Sequence, residues 1–165
     1  MTLSVCEEGA LGLKSAAQPV KDRQTLSSEG EPISQRIAGV SVHRRPLQED
    51  ERGEPVRFTV PNGEFIPSLW CDAYFVSIRP NQVKGWVRHK LQDDRLFFLR
   101  DVIRVALFDD RPDSPTYHML NVFVMSERNP GRLVIIPKGV LHALKNIGTD
   151  DASLINLPTR PYDQC

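Results

Sequence analysis

The chain has 165 residues, enough for one domain with a real core plus a tail. Lysine plus arginine equals aspartate plus glutamate at 21 each, so the formal net charge is zero and no basic excess points to nucleic acid. Cys6, Cys71 and Cys165 are odd in number, far apart and without a Cys-x-x-Cys spacing, which argues against a disulfide framework or zinc knuckle and for free thiols in a reducing cytosol.

Residues 1–38 are rich in Ser, Glu, Gln and Lys and hold no aromatic side chain. They read as a flexible arm, disordered or exchanged with a second copy, with a weak helical signal over 7–17. Residues 1–30 lack a basic start followed by a long apolar run, and no stretch is long enough to span a bilayer, so a cytoplasmic protein with no membrane partner is expected.

From residue 39 to 165 the texture is that of a β domain. Apolar runs bounded by turn residues predict strands over 40–45, 55–60, 73–79, 83–90, 96–99, 102–108, 120–125, 132–136, 140–145 and 153–157. Turn signals fall at Glu51-Arg52-Gly53, Pro61-Asn62-Gly63, Arg79-Pro80-Asn81, Asp109-Asp110-Arg111-Pro112, Arg128-Asn129-Pro130-Gly131 and Asn146-Ile147-Gly148. Short strands at this spacing, with no alternation of strand and helix, predict an all-β sandwich or barrel.

One segment is specific. It runs from Gly131 through Pro137, Gly139 and His142 to Asn146. Pro137 and Gly139 favour a tight turn, His142 falls early in the following strand, and Asn146 favours the turn that ends it. This spacing resembles the second conserved motif of cupins at every fixed position. The first cupin motif is matched less fully, over Gly85-Trp86-Val87-Arg88-His89-Lys90-Leu91-Gln92-Asp93-Asp94. Val87 stands where its first histidine would be, His89 is the second histidine, and Asp101 stands where a turn glycine is usual.

Further stretches narrow the resemblance. Asp50-Glu51-Arg52-Gly53, Lys84-Gly85-Trp86, Asp113-Ser114-Pro115-Thr116, Ile136-Pro137-Lys138-Gly139 and Asn156-Leu157-Pro158-Thr159 occur in an order similar to that of the dTDP-4-dehydrorhamnose 3,5-epimerase family. The resemblance covers about residues 40–163. It implies a double-stranded β-helix, or jelly-roll barrel, in a homodimer that shares N-terminal strands. It implies a nucleotide-sugar substrate and no metal or other cofactor. The chemistry it implies is removal of a proton beside a ketone by a histidine, with a lysine at the oxyanion and a tyrosine as the acid.

Carried over residue by residue, those three roles fall on Val87, Arg95 and Asn156. Valine accepts no proton, arginine keeps the charge, and asparagine is no acid at neutral pH. His89, two residues beyond Val87, would share its face if the strand continues, roughly 6–7 Å further on. His89 is therefore expected as the base, with Arg95 stabilising the oxyanion; the alternative is an interior histidine that only binds. Substrate contacts are expected from Arg52 and Lys84 at a diphosphate, from Tyr162 against the base, and from His142 and Asn156. Trp86 is expected in core or dimer packing, and His43 and His118 at the surface. Two other functions stay open: a cupin that binds a nucleotide sugar without turnover, and a metal-dependent cupin enzyme using His89, His142 and Asp93 or Asp94.

Overall fold

The computed structural model describes residues 27–28, 35–43, 72–128 and 133–161. The chain divides into two units, Met1–Gln35 and Arg36–Cys165. All the described strands belong to the second. The expected helix over 7–17 and the strand over 55–60 lie outside the described residues.

Strand β1 spans Ser41–His43, β2 Tyr74–Ile78, β3 Val83–Val87, β4 Asp94–Arg100 and β5 Val102–Asp109. Then follow β6 Leu120–Ser126, β7 Leu133–Ile136, β8 Val140–Asn146 and β9 Ala152–Asn156. The residue types explain the choice: these runs are rich in Val, Ile, Leu and Phe, which suit a pleated surface. Burial alternates most plainly along β5, where Ile103, Val105, Leu107 and Asp109 point inward and Arg104 outward.

Two antiparallel sheets result, in the orders β1-β7-β4-β9-β2 and β3-β8-β5-β6. Phe98, Leu96, Val134, Ile136 and Leu154 of the first sheet meet Ile103, Val105, Leu107, Val140 and Leu144 of the second in one core. Each such side chain, once fully buried, contributes about 1.5–3 kcal/mol. The jelly-roll barrel expected from the motifs is the fold observed.

Three connections between strands are each held by one residue. The β7–β8 turn uses Gly139 at φ +84°, where a Cβ would come within 2.8 Å of the Arg111 Cγ atom. The β4–β5 turn carries Asp101 at φ +61°. Its carboxylate accepts from the backbone of Val102 at 2.8 Å and of Asp150 at 2.9 Å, so an aspartate does locally what a glycine would do by conformation. After β8, buried Asn146 donates to the carbonyls of Ile78 and Asp150, both at 2.7 Å, and accepts from Gly148 at 2.8 Å.

Candidate active site

Antiparallel register puts paired residues on one face. Val87 pairs with His142, and Lys84 with Leu144, a core residue, so Val87 and Lys84 sit on the barrel-facing side of β3. β3 ends at Val87, which places His89 in the β3–β4 connection rather than on the strand expected over 83–90. The connection nonetheless returns His89 to the interior. Its ring centroid lies 5.7 Å from that of His142.

Between them stands Asp94, the first residue of β4 and only 2% exposed. Its Oδ2 lies 3.2 Å from His89 Nε2 and 3.3 Å from His142 Nε2. Its Oδ1 accepts from Gln92 Nε2 at 2.9 Å and from Asn156 Nδ2 at 3.0 Å. The same Asn156 nitrogen lies 2.7 Å from the Tyr74 hydroxyl, and its Oδ1 accepts from the Arg95 backbone at 3.3 Å. Two neutral amides thus fix one carboxylate oxygen and leave the other to two imidazoles. No lysine or arginine makes an ion pair with Asp94 among the described residues, so the neighbours of its Oδ2 there are the two imidazoles.

The two histidines are not equivalent. His142 is the more buried. Burial holds its pKa below the ordinary imidazole value; Asp94 pulls the other way, and His89 adds to the lowering. His142 Nδ1 is enclosed without a well-aligned hydrogen bond, the Val140 carbonyl acting on it only weakly. His89 has the more open side chain, at 15% exposure.

The structure brings together His89, His142 and Asn156 from the expected set, selects Asp94 rather than Asp93 as the carboxylate beside the histidines, and adds Gln92 and Tyr74. It does not bring Arg95. Along β4, Asp94, Leu96 and Phe98 face the core, and the pleat turns Arg95 to the opposite face. Lys84 is exposed, as is the whole of β3. Arg52 and Tyr162 lie outside the described residues. Trp86 is 55% exposed and forms no part of the core. Period-two reading of β4 from Phe98 backward decides between Asp93 and Asp94; Gln92 and Tyr74 carry no local signal.

A second polar assembly stands apart. Asp109, fully buried, accepts from Arg111 Nε at 2.7 Å, Ser114 Oγ at 2.6 Å and Thr116 Oγ1 at 2.6 Å. The Arg111 guanidinium beside it, with the two hydroxyls, holds the carboxyl well below the usual carboxylate range against the opposing effect of burial. Arg111 Nη2 also donates to the Ala38 carbonyl at 2.7 Å, pinning the start of the second unit. An open cavity of about 620 Å³ adjoins this loop, lined by Arg88, Lys90, Arg111, Ser114 and Gly139 among others; His89, Asp94 and His142 are not part of its wall.

The jelly-roll barrel and the interior cluster where the two cupin motifs meet define a cupin-type protein. No model of a protein family matches the chain. It is 34% identical over 131 residues to a probable low-salt glycan biosynthesis epimerase of Haloferax volcanii, covering 77% of this chain and 81% of that one. It is also 34% identical over 131 residues to the spore coat polysaccharide biosynthesis protein SpsL of Bacillus subtilis, covering 77% and 83%. Among solved structures, a dTDP sugar isomerase from Desulfovibrio desulfuricans superposes with a TM-score of 0.69 at 24% identity, over 76% of this chain and 80% of that one. The chain therefore belongs to the epimerase-like family of these two polysaccharide-biosynthesis relatives, and it shares the cupin fold of the solved isomerase.

Proposed function

We propose that the protein is an isomerase that removes the proton beside the ketone of a nucleotide-linked 4-keto-6-deoxyhexose, with His89 as the base. One observation carries this reading: His89 Nε2 lies 3.2 Å from Asp94 Oδ2, while Asp94 is itself fixed by Gln92 and Asn156. A carboxylate on one ring nitrogen sets the tautomer and leaves the other nitrogen to accept the proton. Such a base contributes about 10²–10⁴-fold in rate. As the proton leaves, the electron pair moves onto the ketone oxygen. Arg95 faces away from the cluster, and its backbone N–H donates to Asn156 Oδ1.

Lys84, which is exposed, and Arg52 are the proposed partners of the diphosphate, and Tyr162 of the nucleobase; cationic side chains and an aromatic ring suit those groups. We further propose a cytoplasmic homodimer. β6, at the edge of its sheet among the described strands, exposes Leu120, Val122 and Val124, an apolar row that suits a second copy. The test of the activity is solvent deuterium entry into dTDP-4-keto-6-deoxyhexose. Label beside the ketone with wild type and none with His89→Asn supports the reading. Equal labelling in both defeats the role of His89, and nucleotide-sugar binding without labelling in either favours a binding protein.

A second reading rests on a different feature of the same cluster. His89, Asp94 and His142 each offer one ligand atom, all within 4.8 Å of one another. Two imidazole nitrogens and one carboxylate oxygen are a set that fits a transition-metal dication. These three residues would hold it, and it would supply a Lewis acid for a carbonyl oxygen. Equilibrium dialysis against Mn²⁺, Ni²⁺ or Zn²⁺ distinguishes the readings: about one equivalent bound, lost in Asp94→Asn, supports a metal centre. No binding above that of the mutant removes it.

A further inference from the structure

The proposed reaction makes no use of the open cavity beside the loop after β5. Its volume of about 620 Å³ falls among those of small-molecule sites, about 300–1,000 Å³. Three cationic side chains line it: Arg88 and Lys90 from the β3–β4 connection, and Arg111 from the loop after β5. Pro112 and Pro115 add apolar wall.

The neighbouring acids leave these cations available to different degrees. Asp110 meets Arg88 through one contact of 2.9 Å between exposed side chains. Such a pair is weak, and a more highly charged anion displaces it. Asp109, wholly buried, grips Arg111 through Nε and Nη2 and so fixes the guanidinium in advance. Nη1 of Arg111 makes no hydrogen bond among the described residues. Lys90 is exposed and has no acidic partner among them. Against these stands Asp113, an acid of the same wall that pairs with no cation among the described residues.

The cavity also borders the connection that carries His89. His89 stands between Arg88 and Lys90 in the chain, with its ring beside His142 in the interior. Gly139, another residue of the cavity wall, donates its N–H to the His89 carbonyl. Drawing Lys90 or Arg88 toward an anion therefore pulls on the backbone that places His89.

We infer that this cavity is a second ligand site, apart from the barrel interior, for a small molecule bearing a phosphate or carboxylate group, and that its occupancy is felt at His89. Guanidinium and ammonium groups suit either anion. The site goes beyond the isomerase reading and stands whether or not that reading does.

Calorimetric titration of the full chain with pyrophosphate and with citrate tests it. Either anion is expected to bind at millimolar concentration or tighter, about tenfold or more weakly in Lys90→Ala, and more tightly in Asp113→Asn. The tighter of the two anions names the group. Both substitutions change exposed side chains and leave the core alone. Binding that neither substitution alters puts the anion elsewhere, Lys84 included, and overturns the assignment. Absence of binding by both anions at about 10 mM overturns it too. The coupling has its own readout in hydrogen exchange at the Gly139 amide. Saturating anion is expected to change that rate about threefold or more in wild type and to leave it unmoved in Lys90→Ala. A rate that the bound anion does not move in wild type overturns the link to His89.

Discussion

The backbone N–H of Gly139 donates to the carbonyl of His89 at 2.8 Å. The turn between β7 and β8 and the connection that carries the proposed base are therefore one piece of structure. Lys138 N donates to Asp93 Oδ1 at 2.8 Å, and Asp93 N donates to Thr159 Oγ1 at 2.9 Å, adding two more ties to the same connection.

Replacing Asp93 by Ala removes the acceptor for Lys138 N and one such tie. We expect about 1 kcal/mol lower stability in urea, from one lost charge-assisted backbone hydrogen bond. Turnover is expected to fall about tenfold through misplacement of His89, with weaker loss of nucleotide-sugar affinity. Unchanged turnover in a folded Asp93→Ala protein would show that the tie does not position the base.

Asp109 gives a prediction about stability alone. Asp109→Asn leaves Arg111 without its charge partner and two hydroxyls with a poorer acceptor, and is expected to cost about 2–4 kcal/mol by chemical denaturation. Arg111 is partly open to water, which keeps the cost below that of a fully buried orphan charge.

The same carboxyl has a pH signature. Its folded pKa is depressed below the unfolded value, so the unfolded chain binds the proton first as pH falls. Its contribution is complete above the unfolded value of about 4 and is lost as pH drops toward the folded one. Denaturation midpoints between pH 5 and 3 should decline less steeply in Asp109→Asn than in wild type.

His142 acts in a different window. Burial lowers its folded pKa, so the unfolded chain, titrating near about 6.5, takes up the proton first. Stability from this residue is present above that pH and declines as pH falls below it. Midpoints at pH 7.5 and 5.5 should differ more in wild type than in His142→Gln.

At Gly85 the backbone of β3 meets β8 so closely that a Cβ would come within 2.7 Å of Ala143 Cα and 2.8 Å of the His142 carbonyl. Its φ of +134° also lies where side chains are rarely found. Gly85→Ala is expected to cost about 2–4 kcal/mol and to lower the hydrogen-exchange protection of β3 and β8 before that of β4.

The sequence shows the strands clearly because alternation and turn chemistry are local. Which face of β4 meets the site is a different matter. Leu96 and Phe98 form one apolar row and Phe97 and Leu99 another, so the run is apolar on both faces and its pattern fits either orientation. One residue of register separates Asp94 inside from Arg95 outside, and motif matching by analogy selects Arg95. His142 and Asn156 are legible because the motif after Pro137 fixes the turn that places His142, and Asn156 stands at a matched position of the family pattern. Tyr74 is hidden for another reason: its partner Asn156 lies 82 residues away, a pairing that no short window reveals.

A single carboxylate oxygen shared by His89 and His142 has a consequence for how variants combine. Deleting one imidazole hands the whole of Asp94 Oδ2 to the survivor, which then sits in a changed field. Losses measured for the two histidines singly will not add, and a double-mutant cycle should show coupling of about 0.5–3 kcal/mol. Substitutions at positions 89 and 142 are thus epistatic by construction: a lineage that changes one alters what selection can accept at the other.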